Sequence, residues 1–396
     1  MASSTLPPPR SFEQQYVALA ATIYLLTVSA ASFGIFLGSF LSSRHIGAQQ
    51  VGVIGAAGSA ALIAGNLLWG FISDLTGRRR ALIAMGSLVS VPTLLLWLTG
   101  TNVIEYVMLN GAYNFFVAPT VALLSVFVLD ILPPEARATR FGGFRVWGSL
   151  GLLSASWGLG WFLKADPDRL FLVAAAATGI AMVPFLLGTS EQARPRSNRF
   201  HFRHVLLNPR LSIFFLCTCL HGFWEPGAFL FLSYSLKQQQ ASEGMIGIIL
   251  GLNGLVAMAS LPIAGRMADR WGRNPLLFTM YLVSGIRMLL YAVLSNPLAY
   301  IPVQILHFGS FGISEGVGSV YVAELADERD RATALACFHI FHSVGAMAGS
   351  LAGGYLSSHY GLPVMYQVFA AVMGVAAVVF LANWKTASGT PIAEKA

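Results

Sequence analysis

Long apolar runs broken by short polar stretches fill the chain from end to end. Turn residues and charges divide the first half into runs at about 16–41, 50–73, 81–98, 103–129, 139–162 and 170–187. The second half divides into 211–236, 243–268, 276–294, 298–324, 333–356 and 364–383. About 20 residues of α-helix cross ~30 Å of hydrocarbon, and these runs have roughly that length. Hydrocarbon offers no partner for backbone N–H and C=O groups, so each run is predicted to be a helix that bonds within itself. The pattern therefore predicts an all-α membrane protein of twelve transmembrane helices. The first run is much longer than the ~7–15-residue core of a signal peptide, so it is expected to be a retained helix.

Composition sharpens this reading. Of the 396 residues, 56% are apolar and only 10% charged, whereas soluble domains carry about 25% charged residues. A net charge of +7 raises the question of nucleic acid, but its distribution answers it. With both ends on one side, that side holds 18 lysines and arginines and the other holds 4. This positive-inside bias places both termini in the cytoplasm and the chain in the inner cell membrane. No nucleic acid is needed to explain the charge. The three cysteines, Cys217, Cys219 and Cys337, all lie in apolar runs, and no CxxC spacing occurs. A disulfide framework or a cysteine zinc site is not expected.

The two halves repeat each other. Val128-Leu-Asp130 matches Val322-Ala-Glu324, and Arg137-Ala-Thr139 matches Arg331-Ala-Thr333, at one offset of 194 residues. One residue off that spacing, Gly70-Phe-Ile-Ser-Asp74-Leu-Thr-Gly77-Arg78 matches Gly265-Arg-Met-Ala-Asp269-Arg-Trp-Gly272-Arg273. Two motifs with nearly one spacing point to two pseudo-symmetric six-helix bundles, over 1–188 and 210–384, with a basic linker at 189–209 and a tail at 385–396. Repeats of this kind place a substrate site between the halves.

The Gly-x-x-x-Asp-x-x-Gly-Arg loops resemble the signature of the major facilitator superfamily over essentially the whole chain. The resemblance implies a gating role for Gly70, Asp74, Gly77 and Arg78, and for Gly265, Asp269, Gly272, Arg273, Asp130 and Glu324. In the family the carboxylate at Asp74 meets the start of the eleventh helix. Phe144-Arg145-Val-Trp147-Gly148-Ser149-Leu-Gly151 is similar to the branch of lactose permease, nucleoside–proton symporters and phenylpropionate-type transporters. Arg287 and His307, on the ninth and tenth helices, fit the same branch. Two positions depart from lactose permease, which has glutamates where Ala122 and Ser310 stand here. Neither lactose nor the same proton site is therefore implied.

Ionisable residues deep in hydrocarbon cost about 2.5–3.5 kcal/mol each on insertion scales, so they are expected to face a cavity or a partner. Arg145 either grips substrate with its planar fork or snorkels to the interface. Arg287 sits mid-helix and needs an anionic partner, for which Glu315 is the candidate. Glu225 follows His221 by four residues, and Pro226-Gly227 predicts a kink there. Glu225, Glu315 and His307 are the candidate proton carriers. Gln304, His307, Phe311 and Glu315 form a polar stripe, and Arg287, His307, Asn110, Asn114, Trp147, Trp224 and Tyr291 join Arg145 as candidate substrate contacts. His339 and His342 have a spacing that can bind metal, but no third ligand lies nearby in sequence, so cavity lining is favoured.

These features predict a functional monomer that moves a small organic solute, an organic anion, nucleoside or sugar, by proton-coupled symport. No metal or cofactor is called for. Efflux by antiport is the alternative; the fifth helix carries Gly148-Ser149-Leu-Gly151 where drug antiporters have Gly-Pro-x-x-Gly-Gly. A membrane-embedded metal enzyme is the remote alternative, and no HExxH, nucleophile elbow or Walker loop supports it.

Overall fold

The computed structural model describes residues 12–131, 137–162, 166–190, 202–327 and 330–383. Among the described residues the chain is helical throughout, without strands. The first half holds α1 (Phe12–Ser43), α2 (Ala48–Thr76), α3 (Arg79–Leu96), α4 (Val103–Ile131), α5 (Arg137–Phe162) and α6 (Arg169–Gly188). A short helix, α7 (Phe202–Leu207), leads into the second half. There the seventh span is broken into α8 (Pro209–Gly222), α9 (Glu225–Ala228) and α10 (Leu230–Gln238). The break falls where Pro226 lacks a backbone N–H, as the sequence predicts. Next come α11 (Glu243–Trp271) and α12 (Arg273–Val293).

The tenth span is irregular. It runs through α13 (Tyr300–Val303), a 3₁₀ turn at Gln304–Leu306, π-helical turns at Phe308–Gly312 and Ser314–Gly318, and α14 (Ser319–Leu325). α15 (Arg331–Tyr360) and α16 (Leu362–Ala382) complete twelve spans. Ten of them are long and apolar enough to cross a membrane by composition. α5 is too polar for that test, with Arg137, Arg140 and Arg145 in its first half, and the tenth span is too interrupted.

Within the first half α1 packs on α5 and α6, and α2 on α4; within the second, α12 packs on α16 and α15 on α8. The halves meet through α2 with α15, α5 with α11, and α1 with α10. These contacts follow the sequence repeat. Side chains larger than hydrogen at Gly52 and Gly247 would collide with the carbonyls of Ser350 and Ser156 respectively. Both glycines and both serines are repeat partners. A Cβ on Gly160 would lie 2.7 Å from the Glu243 carbonyl, and one on Gly354 would lie 2.9 Å from that of Gln49. Close to the pseudo-twofold axis, the Ser39 amide donates to Ser233 Oγ at 3.0 Å, across the repeat offset of 194.

All these contacts lie at the end remote from the termini, and a charged group seals them. Lys237 Nζ lies 2.7 Å from Glu243, which is 6% exposed. The other oxygen of Glu243 accepts from Ser39 Oγ at 2.9 Å, tying α1 to α11. At the opposite end, space is open around Gly70 and Gly265. Gly77 and Gly272 end their helices at φ +67° and +83°, a region that favours glycine. The halves are thus shut at one end and parted at the other.

Gly52→Leu and Gly247→Leu should each pry the shut end open, since overpacking a tight contact costs about 1–3 kcal/mol. Spin labels on Gln50 and Ser358, both exposed at that end, should report a longer separation in each variant than in the parent chain.

Candidate functional site

Charged groups from both halves meet in the gap. Arg145 is exposed on α5 of the first half. His339, on α15 of the second half, lies within electrostatic reach of Arg145, Glu315 and His342. One turn further along α15, His342 Nδ1 lies 3.5 Å from Glu225 Oε2, with the two side chains 24% and 43% exposed. Behind this pair the His221 ring centre is 5.8 Å from that of His342. Two carboxylates, two histidines and an arginine therefore face a common gap. α8, α9 and α15 bring Glu225, His221 and His342 together because small residues allow close approach. The carbonyl of His342 lies where a Cβ on Gly222 would go, and that of Cys219 where one on Gly345 would go.

Arg287 belongs to a separate, sealed cluster and is fully buried. Its Nε donates to Tyr291 Oη at 2.9 Å. One terminal nitrogen donates to His307 Nδ1 at 3.0 Å and Ser310 Oγ at 3.2 Å. The other donates to Asn253 Oδ1 at 3.0 Å and Gln304 Oε1 at 2.7 Å. Five donors meet five neutral acceptors, the full capacity of a guanidinium. Trp224 adds its ring face 5.3 Å from the guanidinium carbon. The expected pair with Glu315 is not made. The π turns shift the helical register between Ser310 and Glu315, leaving Ser310 on Arg287 and Glu315 by His339.

Several expected substrate contacts have other work in this structure. Trp224, Tyr291 and His307 are buried in the Arg287 cluster. An arginine can only donate, so His307 Nδ1 is an acceptor and its ring is neutral, against a role as proton carrier here. Asn110 is 3% exposed and donates to the Ile54 carbonyl at 2.6 Å, while Asn114 donates back to Asn110 at 2.9 Å. These amides clamp α4 to α2. Trp147 is 44% exposed on the face of α5 that carries Gly151 and Ser154, both against α1, turned away from Arg145.

Of the gating candidates, Arg273 pairs with Glu324 at 2.5 Å, within the second half. The repeat equivalent of Glu324, Asp130, has a side chain outside the described residues. Asp74, for which the family loop implies a lock onto the eleventh span, forms no ion pair among the described residues. Asp269 and Arg78 are exposed at the same parted end. Sequence reasoning missed Lys237 and Glu243, whose only signal was a charged pair flanking a turn, and it set His342 aside because its partner lies on another helix.

Two six-span bundles with a polar gap between them define a multi-pass membrane transporter, and no enzyme. A family model described as MFS_1 like family matches residues 16–368. The chain belongs to that family, within the major facilitator superfamily. It is 24% identical over 367 residues to an uncharacterized MFS-type transporter of Methanocaldococcus jannaschii, covering 88% of this chain and 89% of the relative. It is 24% identical over 376 residues to the multi-drug resistance efflux pump PmrA of Streptococcus pneumoniae, covering 89% and 91% of the two chains. A crystal structure of a mutant of the nucleoside transporter NupG superposes with a TM-score of 0.83 at 17% identity, covering 93% of this chain and 99% of that one. The substrate of such a transporter is a small molecule, and its surroundings are the lipid bilayer.

Arg287→Lys should lower stability by about 1.5–3 kcal/mol or more, because an ammonium has three donors for five acceptors and each lost charged hydrogen bond is of that size. Asn110→Ala should cost about 0.5–1.5 kcal/mol by removing the buried hydrogen bond from α4 to the Ile54 carbonyl of α2. Thermal melts in detergent check both.

Proposed function

We propose that the chain takes up a small organic solute by proton-coupled symport, alternating between states open to either side. The observation that carries this reading is the gap itself. It is shut at the end remote from the termini, and it is lined from both halves by Arg145, Glu225, Glu315, His339 and His342. The positive-inside bias assigns the parted end to the cytoplasm, so this conformation faces inward across the inner membrane. The bundles are taken as 1–188 and 210–384, and each chain works as a monomer.

Arg145 is the substrate contact of choice. It is exposed in the gap, and its fork suits a carboxylate or paired hydroxyls. Arg287 has no donor left to offer. The substrate class is therefore an organic anion first, with nucleosides and sugars next. A proton loaded on the second half and a substrate held between the halves shift the equilibrium through their different affinities for the two states.

Efflux remains the second reading, supported by the likeness to PmrA. In proteoliposomes, an inward proton gradient should raise accumulation of a transported monocarboxylate, nucleoside or sugar above the equilibrium level. Accumulation that ignores the gradient rejects symport, and gradient-driven dye loading of everted vesicles supports efflux. Arg145→Ala should weaken binding of an anionic substrate tenfold or more, the effect of losing about 1.4 kcal/mol or more, as read by thermal shift against graded ligand.

A further inference from the structure

The geometry assigns the transported proton to one pair, Glu225 with His342, and leaves the other carboxylate, Glu315, to a separate group with His339 and Arg145. This rests on the proton-coupled reading above and deepens it by separating two sites that face the same gap. Four histidines and two carboxylates stand in or behind the gap, and their hydrogen bonds sort them.

His307 is spent. Its Nδ1 lone pair receives Arg287, and the ring lies stacked on Phe311 at 4.9 Å, 3% exposed. His221 is spent as well. The Trp224 indole, which can only donate, donates to His221 Nε2 at 3.1 Å. A neutral His221 therefore carries its hydrogen on Nδ1, a buried atom without a well-formed acceptor. It has no free lone pair for a proton, and at 1% exposure it has no path to water. It forms a fixed neutral wall behind His342.

His339 and Glu315 differ from this pair in what they face. His339 lies within electrostatic reach of Glu315 on its own half and of Arg145 on the opposite half. That arrangement bridges the halves and suits substrate recognition and closure.

Among the described residues facing the gap, Glu225 and His342 form the carboxylate–histidine contact within ion-pair range. Their surroundings are His221 on α8, Trp224 ahead of α9, and His339 one turn back on α15. Arg287 on α12 lies beyond the Trp224 ring. They touch at 3.5 Å, and both reach the open gap. A carboxylate with a neutral imidazole carries one negative charge. One proton from water adds to the pair, forming a single N–H or O–H bond and making it neutral overall, and the same proton returns to water on the other side. The loaded pair then carries no net charge into the sealed half of the cycle, where an uncompensated ion would cost several kcal/mol.

The test uses the full-length protein in nanodiscs without substrate, with the proton itself as probe. Infrared difference spectra during a pH titration should show one carboxyl–imidazole step. Glu225→Gln should abolish that step. His342→Gln should abolish it or move its midpoint by at least tenfold in proton concentration, while Glu315→Gln leaves it in place. Glu225→Asp, which keeps the acid but draws it back, should move the midpoint and guards against a Gln variant that does not fold. A step unchanged in Glu225→Gln and His342→Gln, or lost in Glu315→Gln, overturns the assignment. An intact step in a protein whose accumulation ignores a pH gradient overturns symport and leaves the proton site standing.

Discussion

Arg287 shows the constraint under which the second half is built. A permanent cation at the centre of a hydrocarbon-embedded bundle must be satisfied at every donor or it unfolds its surroundings. The structure meets this with neutral oxygens and one imidazole nitrogen drawn from α11, α12 and the tenth span. Because each acceptor comes from a different turn, the guanidinium fixes the relative register of three helices. The irregular course of the tenth span follows from it. Gln304, His307 and Ser310 cannot all reach one planar fork from a uniform α-helix while Glu315 also reaches His339. The π turns supply the needed change of register.

A rigid second half has a counterpart in a sliding interface. The contacts between the halves rest on glycines and serines placed twice by the repeat, at Gly52 and Gly247, Gly160 and Gly354, Ser156 and Ser350. Backbone meets backbone there, with little side-chain interlocking. Such a surface can part and reseal as a unit, because few rotamers must change. Among the described residues, polar contacts there include Ser39 with Ser233, Ser39 with Glu243, and the Tyr234 hydroxyl donating to the Ile46 carbonyl.

Much of this was legible beforehand. The spans, the pseudo-symmetry and the kink at Pro226 all follow from local chemistry and the repeated motifs. The membership of the major facilitator superfamily was written in the loops at Gly70–Arg78 and Gly265–Arg273. The pairing of polar groups was not. Arg287 with Glu315 looked sensible in one dimension because the sequence does not reveal π turns, each of which shifts helical register. Asn110 and Asn114 looked like substrate contacts because sequence cannot show that Asn110 bonds the Ile54 carbonyl of α2 and Asn114 bonds Asn110. His342 was passed over because its carboxylate comes from a helix more than a hundred residues earlier.

The seal at the shut end bears on energetics at a larger scale. Lys237 and Glu243 sit in the same half, and the first half meets Glu243 through the hydroxyl of Ser39. When the halves separate there, acid and base travel together. The movement breaks a dipolar contact but separates no unlike charges. Membrane voltage acts on displaced charge, at about 2.3 kcal/mol per elementary charge per 100 mV. Parting this seal therefore offers the electrical field almost nothing to pull on.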